Sequence, residues 1–171
     1  MPRFAALDVV ANAQALWAAH EDQMDVLTIP FLGPERTTWQ YPFGALIRGG
    51  ARLAMGSDWS VSSPDPLAAI HVAVNRMAPH AIDRAVHERR SDPFLPEQAL
   101  SLPEAIHGYT AGSAWVNHLE ADTGSIEIGK LADLAVIDRD LFEIPPLTIA
   151  DARVLATVVG GAVVYAAPEL G

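Results

Sequence analysis

The sequence contains no cysteine. Disulfides are excluded, and any metal would have to be held by histidine, carboxylate or backbone oxygen. The absence also fits a cytoplasmic protein. Cationic side chains are scarce: 11 Lys and Arg face 21 Asp and Glu, for a formal net charge of −10. Such a chain repels phosphate backbones, and its only basic pair is Arg89-Arg90. That pair reads as a solvated helix end, so no nucleic-acid partner is expected. No apolar run reaches the ~20 residues that span a bilayer, so no membrane role is expected either. Met1-Pro2-Arg3-Phe4 lacks the layout of a signal peptide. The six histidines (His20, His71, His80, His87, His107 and His118) are never two apart, so there is no His-x-His pair.

Apolar residues, by contrast, are abundant: they make up half of the 171. That is more than a soluble domain of this size needs. Either an α/β core is well buried, or part of this surface is covered by protein outside the sequence.

The order of elements points to α/β. Residues 7–18, with Val9 and Val10 near the start, suit a buried parallel strand running into a loop. Pro30 to Pro34 reads as a loop. Residues 35–48 read as a helix with Trp39, Phe43, Leu46 and Ile47 on one face. Pro42 should kink or split it, and Gly49-Gly50 ends it. Residues 51–56 form a second short strand. Asp65 then offers an N-cap and Pro66 a first helical position, ahead of Leu67, Ile70, Val74 and Met77 at helical spacing. A loop or short helix is expected over 79–96. Ser101-Leu102-Pro103-Glu104 is a capping box, opening a helix that ends near Tyr109. Thr110 caps a second helix, 111–119.

After Gly124 the pattern turns to β. Ile126 and Ile128 alternate with polar neighbours, residues 134–137 form a short apolar strand, and Gly160-Gly161 between β-branched runs predicts a tight hairpin. The domain boundary is placed near Asp122, giving segments 1–122 and 123–171.

Several short motifs then occur in a telling order. Gly56-Ser57-Asp58-Trp59 ends the second strand and Asp65-Pro66-Leu67 follows it. Gly124-Ser125-Ile126-Glu127-Ile128-Gly129-Lys130-Leu131-Ala132-Asp133-Leu134 and Asp138-Arg139-Asp140-Leu141-Phe142 come later, and Thr157-Val158-Val159-Gly160-Gly161 closes the series. Together with Gly33-Pro34-Glu35-Arg36 and Gln40-Tyr41-Pro42-Phe43, these resemble the C-terminal part of the amidohydrolase superfamily, in its YtcJ-like, amidohydrolase 3 branch. The resemblance implies an α/β fold: the last βα units of a metal-dependent hydrolase (β/α)8 TIM barrel, then the C-terminal part of a small β-sandwich.

It also implies hydrolysis of a C–N bond of amide type. In that chemistry a divalent metal, zinc by the family pattern, lowers the pKa of bound water from ~15.7 toward ~7. A carboxylate beside the metal moves the proton to the leaving nitrogen. Asp58 falls at the family's strand-eight aspartate, so the resemblance implies that it is the metal-adjacent general base and acid. Read locally, an Asp after Gly-Ser only braces a turn.

Position at strand ends makes Gln14, Trp17, His20, Trp59 and Ser60 candidates for substrate binding. The alternatives are packing for the two tryptophans and turn bonding for Ser60. His71, His107 and His118 fall in expected helices as packing or surface residues, and His80 and His87 in a polar loop. The family's remaining metal ligands, a His-x-His pair, a Lys or Glu and two histidines, would lie before Met1. This chain alone is therefore expected to bind no metal tightly and to lack activity. Its expected partners are the remaining barrel strands, in one longer protein or in a partner chain of a split enzyme. A homo-oligomer, in which the chain is a non-catalytic self-associating module, is the other reading.

Overall fold

The structure, a computed structural model, describes residues 1–80 and 92–170. Most of the segment expected as a loop or short helix lies outside the described residues, as do His87 and Arg89-Arg90.

The two expected strands form and pair. β1 (Val10–Ala13) and β2 (Arg52–Met55) are parallel, with Val10 opposite Arg52 and Ala13 opposite Met55. Gly56 N–H extends the ladder with a 3.0 Å bond to the Ala13 carbonyl. Four helices stand before and between the strands: α1 (Pro2–Ala6), α2 (Asp22–Asp25), α3 (Ile29–Thr37) and α4 (Phe43–Arg48). The loop expected over 30–34 is instead helical on both sides of Gly33, whose φ of 73° and ψ of 170° break the turn. Pro30 lies in the first turn of α3, where a missing N–H costs nothing, and Pro34 restarts the helix after the break. Pro42 splits the expected helix, standing as the N-cap of α4. Trp39 is thereby cut out of the helical register and is 67% exposed, while Phe43 and Leu46 are buried.

α5 (Pro66–Asn75) starts as expected: the Asp65 carboxylate accepts from Leu67 N–H at 2.9 Å and Ala68 N–H at 3.4 Å. It ends at Arg76, which takes φ 56° with its side chain wholly buried. α6 (Leu102–His107) carries both halves of the capping box. The two-helix expectation fails beyond it. The Thr110 hydroxyl bonds back to the Ile106 carbonyl instead of capping. The chain passes through a π-type turn over Gly108–Gly112 and runs on into α7 (Ser113–Val116).

The cause is a close approach to β2. In a parallel ladder alternate residues face one neighbour. Gly56 bonds to β1, so Leu53 and Met55 turn their carbonyls the other way. A Cβ on Gly112 would lie 2.1 Å from the Leu53 oxygen, and one on Gly108 would lie 2.4 Å from Met55 Cγ. The Ser113 hydroxyl donates to the Met55 carbonyl at 3.0 Å. A helix therefore covers the outer edge of β2, and the described residues form no closed barrel.

The tail holds a three-stranded antiparallel sheet in the order β3 (Leu134–Ile137), β4 (Val154–Val159), β5 (Ala162–Ala166). Gly160 and Gly161, at φ 55° and 83°, supply the two left-handed residues of the tight turn. Ile126 and Ile128, expected to alternate in a strand, lie in an exposed loop. That loop is held by local bonds: Lys130 Nζ reaches Ser125 Oγ at 2.6 Å and Glu127 Oε1 at 3.4 Å. Asp133 ties the loop to the hairpin, accepting from Gly160 N–H at 2.7 Å and from the Thr123 hydroxyl at 3.0 Å. The main core gathers β1, β2, α4 and α5 with Leu100, Ala105 and Ile149. A smaller cluster of Leu67, Leu141 and Ala152 joins α5 to the tail.

Gly112→Ala should destabilise the protein by about 1–3 kcal/mol, because a backbone carbonyl cannot move aside. Gly108→Ala should cost less, since the flexible Met55 side chain can yield. Urea-unfolding midpoints of the two variants check this order.

Asp138 gives a pH test. The Arg139 guanidinium, with Arg153, holds its carboxyl well below the usual carboxylate range. A depressed folded-state pKa stabilises above the unfolded value of ~3.9 and is lost as pH falls through the folded value. The stability gap between wild type and Asp138→Asn should stay constant from pH 7 to 5 and shrink below about pH 4.

Candidate active site

Beyond the Gly56–Ala13 rung the two strands part, and their C-terminal ends face the same side. β1 leads into Gln14 and a single 3-10 turn, Ala15–Trp17. β2 leads into Gly56-Ser57-Asp58. Behind it the Tyr109 hydroxyl reaches the Gly56 carbonyl at 3.4 Å, and burial pushes that phenol up to about 12.

Asp58 takes φ 54° and is exposed. Its own carbonyl accepts from Val61 N–H at 2.7 Å. Ser57 closes the same turn: its carbonyl accepts the Ser62 hydroxyl, and its Oγ accepts Trp59 N–H at 3.2 Å. The turn is fixed by Asp58's backbone and neighbours, while its carboxylate makes no hydrogen bond or ion pair among the described residues. A short polar side chain tolerates this left-handed conformation better than most. The local reading of Asp58 as a turn residue agrees with this geometry, through its backbone.

A cleft of about 680 Å³ opens beside this turn. Trp17 and His20 line it, together with Glu21, Tyr41 and Val61–Ser63. Gln14, Trp59 and Ser60 do not; Trp59 and Ser60 are exposed on the far part of the turn. His20 is not a loose loop residue. It is 7% exposed, with Nδ1 at 2.7 Å from Asp25 Oδ1 and Nε2 at 3.6 Å from Asp92 Oδ2. The Phe94 ring meets it edge-on at 5.1 Å. Two carboxylates on one imidazole fix the ring's orientation, so its part in the cleft is that of a rigid wall. His71 is buried in α5 and His118 stands at φ 59° just past α7.

The sequence did not single out Tyr41 and Arg76. Burial and the nearby Glu21 raise the Tyr41 phenol above its ordinary value, partly offset by Arg76. The Arg76 guanidinium is sealed behind the cleft. Its Nε donates to the Phe94 carbonyl at 2.8 Å and Nη1 to the Tyr41 carbonyl at 3.2 Å, with the Phe43 and Phe94 rings at 5.5 and 5.6 Å. Burial lowers it to about 10 against the opposing pull of Glu97 and Tyr41. The sequence signal for Tyr41 was its place before Pro42 at a helix start; for Arg76 there was none.

The described residues do not fit a catalytic metal by themselves. Among them no group of three or more His, Asp or Glu could hold an ion, whereas catalytic zinc takes three protein ligands. Nor is any helix among them long and apolar enough to cross a membrane.

Comparison with known proteins places this geometry. The amidohydrolase family profile matches residues 1–165. The chain is 32% identical over 164 residues to "Protein LONG AFTER FAR-RED 3" of Arabidopsis thaliana, covering 95% of this chain and 26% of that protein. It is 33% identical over 134 residues to "Putative amidohydrolase YtcJ" of Bacillus subtilis, covering 78% and 24%. An uncharacterized metal-dependent hydrolase from Pyrococcus horikoshii OT3 superposes with a TM-score of 0.64 at 30% identity, over 84% of this chain and 27% of that one. The chain thus spans about a quarter of the length of these proteins. Over nearly all of its own length it belongs to the amidohydrolase family, in the amidohydrolase 3 branch that includes YtcJ.

Proposed function

We propose that this chain is the C-terminal portion of a metal-dependent hydrolase that cleaves C–N bonds of amide type, with Asp58 as the carboxylate that takes a proton from the attacking water and delivers it to the leaving nitrogen. The observation that carries the reading is the position of Asp58. It follows the last rung of a parallel strand pair, exposed, with its carboxylate uncommitted and a cleft alongside. Parallel α/β sheets place their reacting groups at that end. A general base must reach its proton unobstructed, and an uncommitted carboxylate does. Trp17 and His20 in the cleft, and Gln14, Trp59 and Ser60 outside it near the strand ends, are assigned to the substrate side.

The donor count among the described residues supports the reading that a catalytic metal, zinc in the family pattern, is completed by further ligands. The remaining ligands belong to the rest of a longer protein or to a partner chain. One observation favours completion by more polypeptide: β5 is exposed along its whole length, leaving Val163, Val164 and Tyr165 in solvent. Isolated soluble domains do not leave such apolar edge strands bare.

The test begins with the DNA upstream of the Met1 codon, translated in frame or as a neighbouring reading frame, for a His-x-His motif. In the enzyme so assembled, Asp58→Asn should lower kcat by about 10²–10⁴ with a much smaller change in KM. An unchanged kcat would sink the assignment. The 171-residue chain alone should show no micromolar zinc binding by calorimetry; such binding, lost in Asp58→Ala, would overturn the donor argument.

A further inference from the structure

The segment between α6 and α7 carries a short internal pattern: Gly108-Tyr109 and, four residues on, Gly112-Ser113. Residues four apart lie on one face of a helical turn. Each glycine removes a side chain where the segment meets β2, since a Cβ on Gly108 would strike Met55 and one on Gly112 the Leu53 carbonyl. Each following residue brings a hydroxyl to the strand. The Ser113 hydroxyl lies 3.0 Å from the Met55 carbonyl oxygen, and the Tyr109 hydroxyl 3.4 Å from the Gly56 carbonyl oxygen. Two hydroxyls thus meet two successive carbonyls, three and two residues before Asp58. Single π-type turns inside helices recur at functional sites, and this one faces the strand that leads to Asp58.

The turn that carries Asp58 has few ties to the body of the protein. Inside it, Ser57 and Asp58 bond to Trp59, Val61 and Ser62. Among the described residues, two hydrogen bonds leave segment 56–62. Gly56 N–H donates to the Ala13 carbonyl, and the Gly56 carbonyl accepts from Tyr109. One tie comes from the sheet and the other from the π-type turn. The peptide after Gly56 sets the direction in which Ser57 and Asp58 leave the strand. Glycine restrains that peptide less than any other residue, so its orientation needs an outside anchor. Tyr109 holds its oxygen.

Both donors are themselves held. The Tyr109 ring packs against the main core. Burial, with Asp65 nearby, pushes its phenol up to about 12, so it stays a donor through the neutral and mildly alkaline range. The Ser113 hydroxyl also lies 2.9 Å from the Gly108 carbonyl, so one proton serves helix and strand. Between them the Thr110 hydroxyl turns to its own helix, bonding the Ile106 carbonyl at 2.8 Å.

We propose that Tyr109 and Ser113 are positioning residues for Asp58: their hydroxyls clamp the Gly56 and Met55 carbonyls and so fix how the chain leaves β2 and presents the carboxylate. The proposal rests on Asp58 being the proton-transferring group; neither hydroxyl bonds the carboxylate itself.

Two measurements test it. The first follows amide hydrogen exchange by NMR in the 171-residue chain. The reporter is Val61 N–H, which closes the Asp58 turn; the reference is Gly161 N–H, bonded to Ala132 in the tail. Tyr109→Phe and Ser113→Ala should each speed Val61 exchange about threefold, the factor of one weak net hydrogen bond, and about tenfold together. Gly161 should not change. Thr110→Val, which removes a hydroxyl from the same turn, should leave Val61 alone.

The second uses the enzyme completed by its remaining polypeptide. The double variant should lower kcat about tenfold with KM within about twofold, and should cost nothing further in the Asp58→Asn background, because residues that act through one group are not additive. Unchanged Val61 exchange in the double variant, an equal rise in Thr110→Val, or a full kcat loss in the Asp58→Asn background would overturn the proposal. The two readings fail separately. Activity lost in Asp58→Asn with Val61 exchange unaltered in the double variant sinks the clamp alone. Altered exchange with kcat indifferent to Asp58→Asn sinks the catalytic reading alone.

Discussion

The fold depends on one short parallel pairing. Four residues of β1 lie against four of β2, and the bond from Gly56 N–H to the Ala13 carbonyl is the last rung before the strands part. That register sets which residues leave the sheet on the same side. Gln14 and the Trp17 turn continue one strand, and Asp58 continues the other. A shift of one residue would turn the Leu53 and Met55 carbonyls toward β1 and remove the acceptor that Ser113 uses. The pairing is too short to persist unaided, since two strands in water are marginal at best. Its stability comes from what packs on it: α4 and α5 on the faces, and the α6–α7 helix over the outer edge of β2.

Two features make that packing close enough. Gly108 and Gly112 remove the side chains that would strike Met55 and the Leu53 carbonyl. The π-type turn between them lets the helix continue while its glycines meet the strand, and such single turns tend to occur where a helix answers an outside constraint. The second feature is Arg76. Burying a guanidinium costs several kcal/mol, which two backbone carbonyls and two aromatic faces offset in part. In return one side chain joins the end of α5 to Tyr41 and Phe94, so the cleft has a fixed back wall. Replacement of Arg76 by lysine would not preserve this, because an ammonium cannot serve two carbonyls in the planar fork while resting against both rings.

Much of this was legible in the sequence, for reasons that can be named. Asp65-Pro66 and the Ser101/Glu104 capping box act within one turn of chain, and both formed as read. The Gly160-Gly161 hairpin likewise depends only on local φ. The misreadings share the opposite property. Thr110 had the chemistry of a cap, but contact with β2 kept the chain helical. Ile126 and Ile128 had the alternation of a strand, but among the described residues none pairs with them, and local bonds from Lys130 took over. Trp39 had helical spacing from Phe43, but the helix it was counted in ended at Thr37. The site divides in the same way. Asp58 was visible through a motif in order with others. The Tyr41 hydroxyl and the buried guanidinium behind it arise from contacts between segments 35 residues apart, and no local pattern records those.

The two halves of the candidate site are also built differently. The cleft is made from buried or half-buried groups: His20 held by Asp25, Tyr41 held against Phe43, and Arg76 behind them. Asp58 is a single carboxylate on a turn fixed by backbone bonds, exposed and with no side-chain partner among the described residues. A general base needs its substrate, water and any electrophile held within a few tenths of an ångström. Nothing in residues 1–80 or 92–170 provides that restraint around Asp58. The parts of the site therefore need different things from the rest of the protein. The cleft is formed among the described residues, whereas Asp58 stands without a side-chain partner among them. A cleft can be read from the described residues by themselves, while the reactivity proposed for Asp58 depends on groups outside them.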